Sequence, residues 1–139
     1  APMRPIPYDI KLKGSGDSKS LHATVDAAAG WEKYYKKWNR TIESPTPDIM
    51  IIRDDYELLD GKGVQFFWNT TMDVKLEKNR AIIDGKHGAI TIEFPQDGDL
   101  KIDLLPLADG SNQKRITFTK KDIKGSIEVK ATLSVKKLN

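Results

Sequence analysis

The aromatic and basic run from Trp31 to Ile42 is the part of this sequence best suited to chemistry with a ligand. As a β-strand it would place Trp31 and Tyr35 on one side, and Trp38 and Arg40 on the other. Aromatic faces stack on sugar rings, and basic neighbours attract sulfate or carboxylate groups. We therefore predict that Trp31, Tyr35, Trp38 and Arg40 are substrate-binding residues.

A structural role explains the same residues more simply. One side of the strand would pack in the core, while its lysines would protect an exposed sheet edge. Arg40 would then be a structural partner of Asp54 or Asp55 rather than a clamp on a substrate. The second aromatic run, Phe66 to Trp68, is predicted to lie in the core, because aromatic side chains dominate the interiors of β-sandwiches. Both interpretations of the first strand stay open at this point.

The sequence contains no group of residues that indicates catalysis. Its two histidines are isolated, with His22 on a predicted strand and His87 at a predicted hairpin tip. Neither has an acidic partner at ligand spacing, so a zinc site is not expected. The acidic residues near the second half of the chain lack the spacing of a calcium loop; they are Asp97, Asp99 and Asp103. We predict no catalytic residue, no metal and no cofactor.

Composition limits the class of protein. The 139-residue chain has no cysteine, which excludes disulfides and thiolate metal ligands. A hydrophobic content of 38% with 31% charged residues is typical of a globular domain rather than a disordered chain. The net charge of +3 weakly favours an anionic partner such as an acidic polysaccharide or a nucleic acid. Aromatic motifs that read RNA are absent, so no nucleic-acid partner is predicted.

No segment of the sequence predicts a membrane anchor. No apolar run approaches the roughly 20 residues needed to cross a bilayer, and no charged-then-apolar signal peptide opens the chain. Three prolines occur in the first seven residues, which suits a linker or an edge strand. We therefore expect the chain to be a fragment or a processed product of a longer protein.

Short strand signals, separated by Gly, Asp, Asn and Pro, recur along the chain. Alternation at period two predicts strands such as Ile6–Lys13 and Ile127–Val135. In the last strand the residues predicted to face inward are Ile127, Val129, Ala131, Leu133 and Val135. The continuous apolar run Ile49–Arg53 predicts a strand buried on both faces. Turns are predicted at Gly14–Asp17 and Ser44–Asp48.

These signals predict an all-β protein. The only helical candidate, residues 27–38, contains Gly30 and has no apolar stripe at helical spacing. Many short strands with hairpin-length loops favour one domain over residues 1–139, an antiparallel two-sheet β-sandwich. A closed β-barrel is the alternative.

The order of the strands, with a few anchor residues, resembles a known family. The elements that carry the likeness are Ala-Thr-Val-Asp at 23–26, an aromatic strand ending in Arg40-Thr41, an apolar strand closed by acids at 49–55, Val-Gln-Phe-Phe-Trp-Asn-Thr at 64–70, and a strand ending in Phe94-Pro95. From about His22 to Leu107, this order resembles the C-terminal β-sandwich of the heparinase II/III-like polysaccharide lyases. One position departs from the family, which often has a histidine where this chain has Asn69.

The resemblance implies a parent enzyme that cleaves acidic polysaccharides, such as glycosaminoglycans, by β-elimination next to a uronic acid, in the periplasm or outside the cell. In that family an α-helical toroid precedes the β-domains and shares the active-site cleft with them. The catalytic Tyr and His lie upstream of the segment matched here, so none is carried over to this chain.

The resemblance therefore implies that this chain supports the catalytic domain, borders the substrate cleft and is inactive alone. Its implied partners are an acidic polysaccharide and the missing toroid domain. The alternative is a stand-alone carbohydrate-binding or structural interaction module.

Overall fold

Eleven β-strands and one short 3₁₀ helix make up the described part of the chain, residues 10–136 of a computed structural model. The strands are β1 (Lys11–Gly16), β2 (Leu21–Asp26), β3 (Tyr35–Thr46), β4 (Ile49–Leu58), β5 (Val64–Thr70), β6 (Asp73–Leu76), β7 (Arg80–Asp84), β8 (Gly88–Glu93), β9 (Asp99–Pro106), β10 (Asn112–Lys120) and β11 (Lys124–Val135). The 3₁₀ helix is Ala28–Trp31. Within residues 10–136, no helix is long and apolar enough to cross a membrane.

The strands form two antiparallel sheets. The large sheet has the order β1-β2-β3-β4-β11-β8-β7-β6, and the small sheet has the order β5-β10-β9. Neither sheet closes on itself, so the predicted sandwich is confirmed and the closed barrel is wrong. The small sheet has three strands against eight in the large sheet, and it can therefore cover only part of it.

The core lies between the small sheet and the middle of the large sheet. Ile116 and Phe118 of β10 are fully buried, in one cluster with Val129 of β11 and Ile92 of β8. The Phe118 ring stacks on Phe94 with the centroids 5.8 Å apart. Burying a side chain of this size stabilises the fold by about 1.5–3 kcal/mol, so this cluster holds the two sheets together.

The large sheet extends beyond the cover of the small sheet. In β11, Ile127 and Val129 are 2% and 1% exposed, whereas Leu133 and Val135 on the same face are 45% and 79% exposed. The prediction that this whole strand is buried was therefore wrong at its end. Alternation fixes which face a residue is on, but burial also needs an opposite layer. Leu12 in β1 is 71% exposed for the same reason.

Two predictions about burial were wrong in the first half of the chain. The run Ile49–Arg53 is not enclosed on both faces: Met50 is 40% exposed and Arg53 is also exposed. Arg53 lies on the outer face of the large sheet, which no layer covers within residues 10–136, whereas Met50 lies on the inner face beyond the cover of the small sheet. Phe66 is buried and Trp68 packs against the core as predicted, but Phe67 is 48% exposed because it lies on the outer face of the small sheet.

The predicted element bounds also differ from the structure. The strand predicted to begin at Trp31 begins at Tyr35, because the 3₁₀ helix and a turn come first. The strand β3 continues to Thr46, through most of the predicted turn Ser44–Asp48. The first strand begins at Lys11 and includes most of the predicted turn at Gly14–Asp17. The earlier part of the predicted strand, residues 6–9, lies outside the described residues.

Candidate functional site

A cleft of about 820 Å³ opens between the aromatic end of β3 and the edge strand β5. The 3₁₀ helix and β3 supply one wall of the cleft, and β5 with the end of β10 supplies the other. Asp54 and Tyr56 of β4, with Ile127 of β11, line it between these walls. The cleft is therefore built where the small sheet ends and leaves the large sheet accessible.

All four predicted substrate-binding residues line this cleft. Simple alternation would put Tyr35 and Trp38 on opposite sides of the strand. The register shifts between them, because Tyr35 pairs with Leu58 while Lys37 pairs with the next residue, Glu57. Such a β-bulge inserts one extra residue and reverses the alternation. It brings the Tyr35 and Trp38 rings together, stacked with their centroids 5.0 Å apart.

The prediction that these residues divide between two faces of the strand was wrong, because of the bulge and the 3₁₀ helix. Trp31 projects from the end of the helix and meets the Trp38 ring edge-on, with the centroids 6.1 Å apart. Tyr35, Trp38 and Trp31 thus form one aromatic wall. Trp31 is the most accessible of the three, with half of its surface exposed.

A buried carboxylate, Asp54, organises the polar part of the cleft. It accepts hydrogen bonds from Arg40 Nε at 2.7 Å, from Arg40 Nη2 at 2.8 Å and from Trp38 Nε1 at 3.0 Å. The hydrogen bond with Asp54 raises the pKa of Arg40, while burial acts in the opposite direction. The predicted structural pairing of Arg40 with an acid of β4 is confirmed for Asp54.

Two lysines that sequence reasoning missed also line the cleft, Lys62 and Lys121. Both are exposed, and neither forms an ion pair within residues 10–136. Antiparallel pairing sets Val64 opposite Lys120, so the loop before β5 lies beside the loop after β10. No local motif could have found these lysines, because only the strand register brings the two distant segments together.

The tyrosine hydroxyl groups around the cleft stay protonated at neutral pH. Tyr56 is 3% exposed, and its hydroxyl has no hydrogen-bond partner within residues 10–136. Burial, followed by the carboxylates of Asp122 and Asp97, raises the pKa of Tyr56 to about 12. Burial, followed by the Asp54 charge, also raises the pKa of Tyr35. The aromatic lining therefore carries no negative charge that would repel an anion.

A separate ion-pair cluster lies at the end of the small sheet. The buried Lys120 Nζ lies 3.0 Å from Asp97 Oδ2 and 3.7 Å from Asp122 Oδ2, and it donates a hydrogen bond to the Ser126 carbonyl at 3.0 Å. This cluster ties the end of β10 to the loop between β8 and β9 and to the loop between β10 and β11. The two carboxylates compensate the charge of Lys120, whereas the neighbouring Lys121 lines the cleft.

The histidines lie away from the cleft. His22 Nδ1 is 3.0 Å from Glu43 Oε1 on the exposed surface of β2 and β3, and His87 is exposed in the loop between β7 and β8. Within residues 10–136, no group of three or more His, Cys, Asp or Glu residues is placed to hold a metal ion. The cleft offers aromatic surface and positive charge, which are suited to binding rather than to proton transfer.

Asn69, the position that departs from the family pattern, also lies outside the cleft. Its side-chain oxygen accepts a hydrogen bond from Arg115 Nε at 3.2 Å. The Arg115 guanidinium in turn lies 5.0 Å from the centre of the Phe67 ring. Asn69 therefore has a structural contact on the outer face of the small sheet.

Comparison with known proteins gives a match in fold only. No protein-family model and no curated protein matches the sequence. A mutant of the heparan sulfate lyase HepC from Pedobacter heparinus matches 94% of the chain with a TM-score of 0.76 and 10% identity. A heparinase III matches 92% of it with a TM-score of 0.70 and 9% identity. In each case the chain spans 22% of the neighbour's length. The chain therefore has the fold of one portion of these heparinase-type lyases, and the resemblance predicted from its sequence is confirmed at the level of the fold.

Proposed function

We propose that this chain is the C-terminal β-domain of a heparinase II/III-like polysaccharide lyase that acts on an acidic polysaccharide. In this proposal the chain supports the catalytic α-helical toroid and borders the substrate cleft, and the parent enzyme works in the periplasm or outside the cell. The observation that carries the proposal is the cleft itself. It joins an aromatic wall to two exposed lysines, neither of which forms an ion pair within residues 10–136, on a fold that matches a heparan sulfate lyase.

The chemistry of the cleft fits this role. An acidic sugar has an apolar ring face, hydroxyl groups along its edge and a negative charge. The aromatic wall suits the ring face, the lysines suit the charge, and β5 offers the backbone groups of a free sheet edge to the hydroxyls. In this proposal proton abstraction belongs to the catalytic domain, and no histidine is among the described residues that line the cleft.

The first test of the proposal is activity. The isolated chain is incubated with heparin, heparan sulfate and alginate, and the ultraviolet absorbance of the unsaturated product is followed. We expect no product, because the described residues that line the cleft include no histidine and the pKa values of its tyrosines, Tyr35 and Tyr56, are raised. Turnover that survives purification would overturn the assignment of catalysis to another domain.

The second test is binding, measured by calorimetry with a heparan sulfate oligosaccharide. We expect Trp31→Ala to weaken binding by about tenfold, since stacking on an aromatic side chain contributes about 1–3 kcal/mol where it has been measured for bases. Tyr34→Ala is the matched control, because Tyr34 is equally exposed, at 52%, but does not line the cleft. Equal effects of the two changes would contradict the cleft as the binding site.

A stand-alone carbohydrate-binding module is the second candidate function. The accessibility of Trp31 favours it, since residues of this chain alone supply both walls of the cleft. Under this alternative the isolated chain binds its polysaccharide as tightly as any longer protein that contains it. A domain that only borders the active site binds much more weakly alone, so comparing the two affinities separates the candidates.

A further inference from the structure

We propose that Lys62 and Lys121 are the residues that recognise the anionic group of the polysaccharide, with Trp31 as the platform for the sugar ring and Arg40 as a positioning residue only. The inference rests on the proposed function and refines it. It assigns the specificity for charge to two loop lysines rather than to the arginine in the aromatic strand. The ligand is an acidic oligosaccharide that carries sulfate or carboxylate groups.

Arg40 is already occupied by the protein. Two of its nitrogens donate to the two carboxylate oxygens of Asp54, and its guanidinium lies 5.7 Å from the centre of the Trp38 ring and 5.6 Å from that of Phe66. An anion that displaced Asp54 from Arg40 would leave the buried carboxylate without its cation, which is strongly unfavourable. An anion that bound the remaining N–H groups of Arg40 would meet a guanidinium whose charge Asp54 already compensates. Arg40 therefore fixes the position of Trp38 through their shared acceptor, Asp54, and contributes little free charge to a ligand.

Lys62 and Lys121 have no such competitor. They are exposed at one end of the cleft, and neither is held by a carboxylate within residues 10–136. The nearby acids Asp97 and Asp122 are engaged by Lys120 instead. Two cations on adjacent loops at one end of a cleft favour a ligand group that can accept from both, as a sulfate or carboxylate does.

Gly63 holds the first of these lysines in place. A Cβ atom at this position would overlap the Lys120 carbonyl oxygen, so only glycine lets the loop approach β10 so closely. Residue 63 also lines the cleft directly beside Lys62. The close approach thus fixes the backbone of the Lys62 loop beside that of Lys121, so the fold brings the two lysines to the same end of the cleft.

Trp31 is the aromatic side chain left free for the sugar. Trp38 contacts Tyr35, Trp31, Arg40 and Asp54, whereas half of the surface of Trp31 remains exposed. A volume of about 820 Å³ is in the range of pockets that take a small ligand or a short stretch of a chain. A sugar ring on Trp31 and its acidic group at the lysines would therefore use both ends of the cleft.

The test compares two double variants by calorimetry on the whole chain. Lys62→Gln with Lys121→Gln removes both cleft lysines, whereas Lys75→Gln with Lys130→Gln removes two exposed lysines that do not line the cleft. Both double variants change the net charge equally. The probes are a heparan sulfate oligosaccharide, its desulfated form and its carboxyl-reduced form. Circular dichroism and thermal unfolding check that each variant is folded.

We expect the cleft variant to bind the unmodified oligosaccharide at least about tenfold more weakly, since two charge-assisted hydrogen bonds are lost. The control variant should change the affinity by less than about twofold. The modified probe that loses its sensitivity to the cleft lysines identifies whether sulfate or carboxylate is bound there. Equal weakening by both double variants would overturn the inference, because binding would then follow net charge alone. If the unchanged protein binds none of the probes, the proposed function fails together with it.

Discussion

Two regions of the large sheet have very different surroundings. At the interior strands β3 and β4, Arg40 and Asp54 lie beside the edge of the small sheet and line a cleft. At the β1–β2 end, Leu12 and Leu21 lie on the same face of the sheet and are 71% and 46% exposed. The comparison teaches that the small sheet's extent, rather than the strand pattern, decides where the molecule has a core, a cleft or an open face.

The largest expected effect is in the core, where the small sheet covers the large sheet. Phe118→Ala should lower the free energy of unfolding by about 3–5 kcal/mol, because it leaves a cavity in the fully buried centre of the core. Urea denaturation followed by tryptophan fluorescence measures the change. A loss below about 1 kcal/mol would mean that the two sheets are not packed as described.

The next effect tests the boundary between the core and the cleft. Asp54→Ala should lower the free energy of unfolding by about 2–3 kcal/mol, because it leaves Arg40 and the Trp38 indole N–H without their acceptor. The loss is smaller than for a fully buried ion pair, because Arg40 is partly exposed. Asp55→Ala is the matched control in the same strand. It breaks only the surface pair with Arg53 and should cost less than about 1 kcal/mol. Similar losses for the two changes would contradict the central role of Asp54.

A smaller effect compares covered and uncovered parts of one strand. Val129 and Val135 are the same residue type on the same face of β11, but they are 1% and 79% exposed. Val129→Ala should destabilise the protein by about 2 kcal/mol, and Val135→Ala by less than about 0.5 kcal/mol. Thermal and urea unfolding of the two variants measure the contrast. A large loss at Val135 would indicate that another layer covers this end in solution.

The smallest effect concerns Tyr56. Its hydroxyl is buried and has no partner within residues 10–136, so Tyr56→Phe should change the free energy of unfolding by less than about 1 kcal/mol at neutral pH. The pKa of this hydroxyl is near 10 in the unfolded chain and about 12 in the folded protein. As the pH rises between these values, the unfolded state loses the proton before the folded state does. The stability that folding gains by holding the Tyr56 proton more tightly is complete below about pH 10 and is lost through this range.

The pH dependence gives the readout for Tyr56. Unfolding free energies of the unchanged protein and of Tyr56→Phe are measured from neutral pH to about pH 12, the folded-state pKa of Tyr56. The unchanged protein should lose more stability than the variant across the upper part of this range. Parallel curves would show that the Tyr56 pKa is not raised by folding.

The fold could be predicted from the sequence because strand alternation and turn residues are local signals. They indicated an antiparallel sandwich and most of its strands, from Leu21 to Val135. They could not indicate how far one sheet extends over the other, so the end of β11 was predicted to be buried. The same limit explains Phe67, which has the right residue type for the core but lies on the outer face.

The site could be predicted only in part. The aromatic and basic composition of β3 pointed to Trp31, Tyr35, Trp38 and Arg40, and the structure places all four along one cleft. Their grouping depends on a bulge and a 3₁₀ helix, neither of which has a clear signal in the sequence. Lys62 and Lys121 are brought together by strand register alone, so no local pattern identifies them.

The most direct test of the cleft as the polysaccharide site is a nuclear magnetic resonance titration of the ¹⁵N-labelled chain with a short heparan sulfate oligosaccharide. We expect saturable shifts of the Trp31 and Trp38 indole N–H signals and of the β5 amides, with little change at the β1–β2 end. That end carries exposed lysines of its own, Lys11 and Lys13, and would respond to any anion attracted only by charge. Shifts centred on β1, or spread over the surface and abolished by moderate salt, would contradict the account.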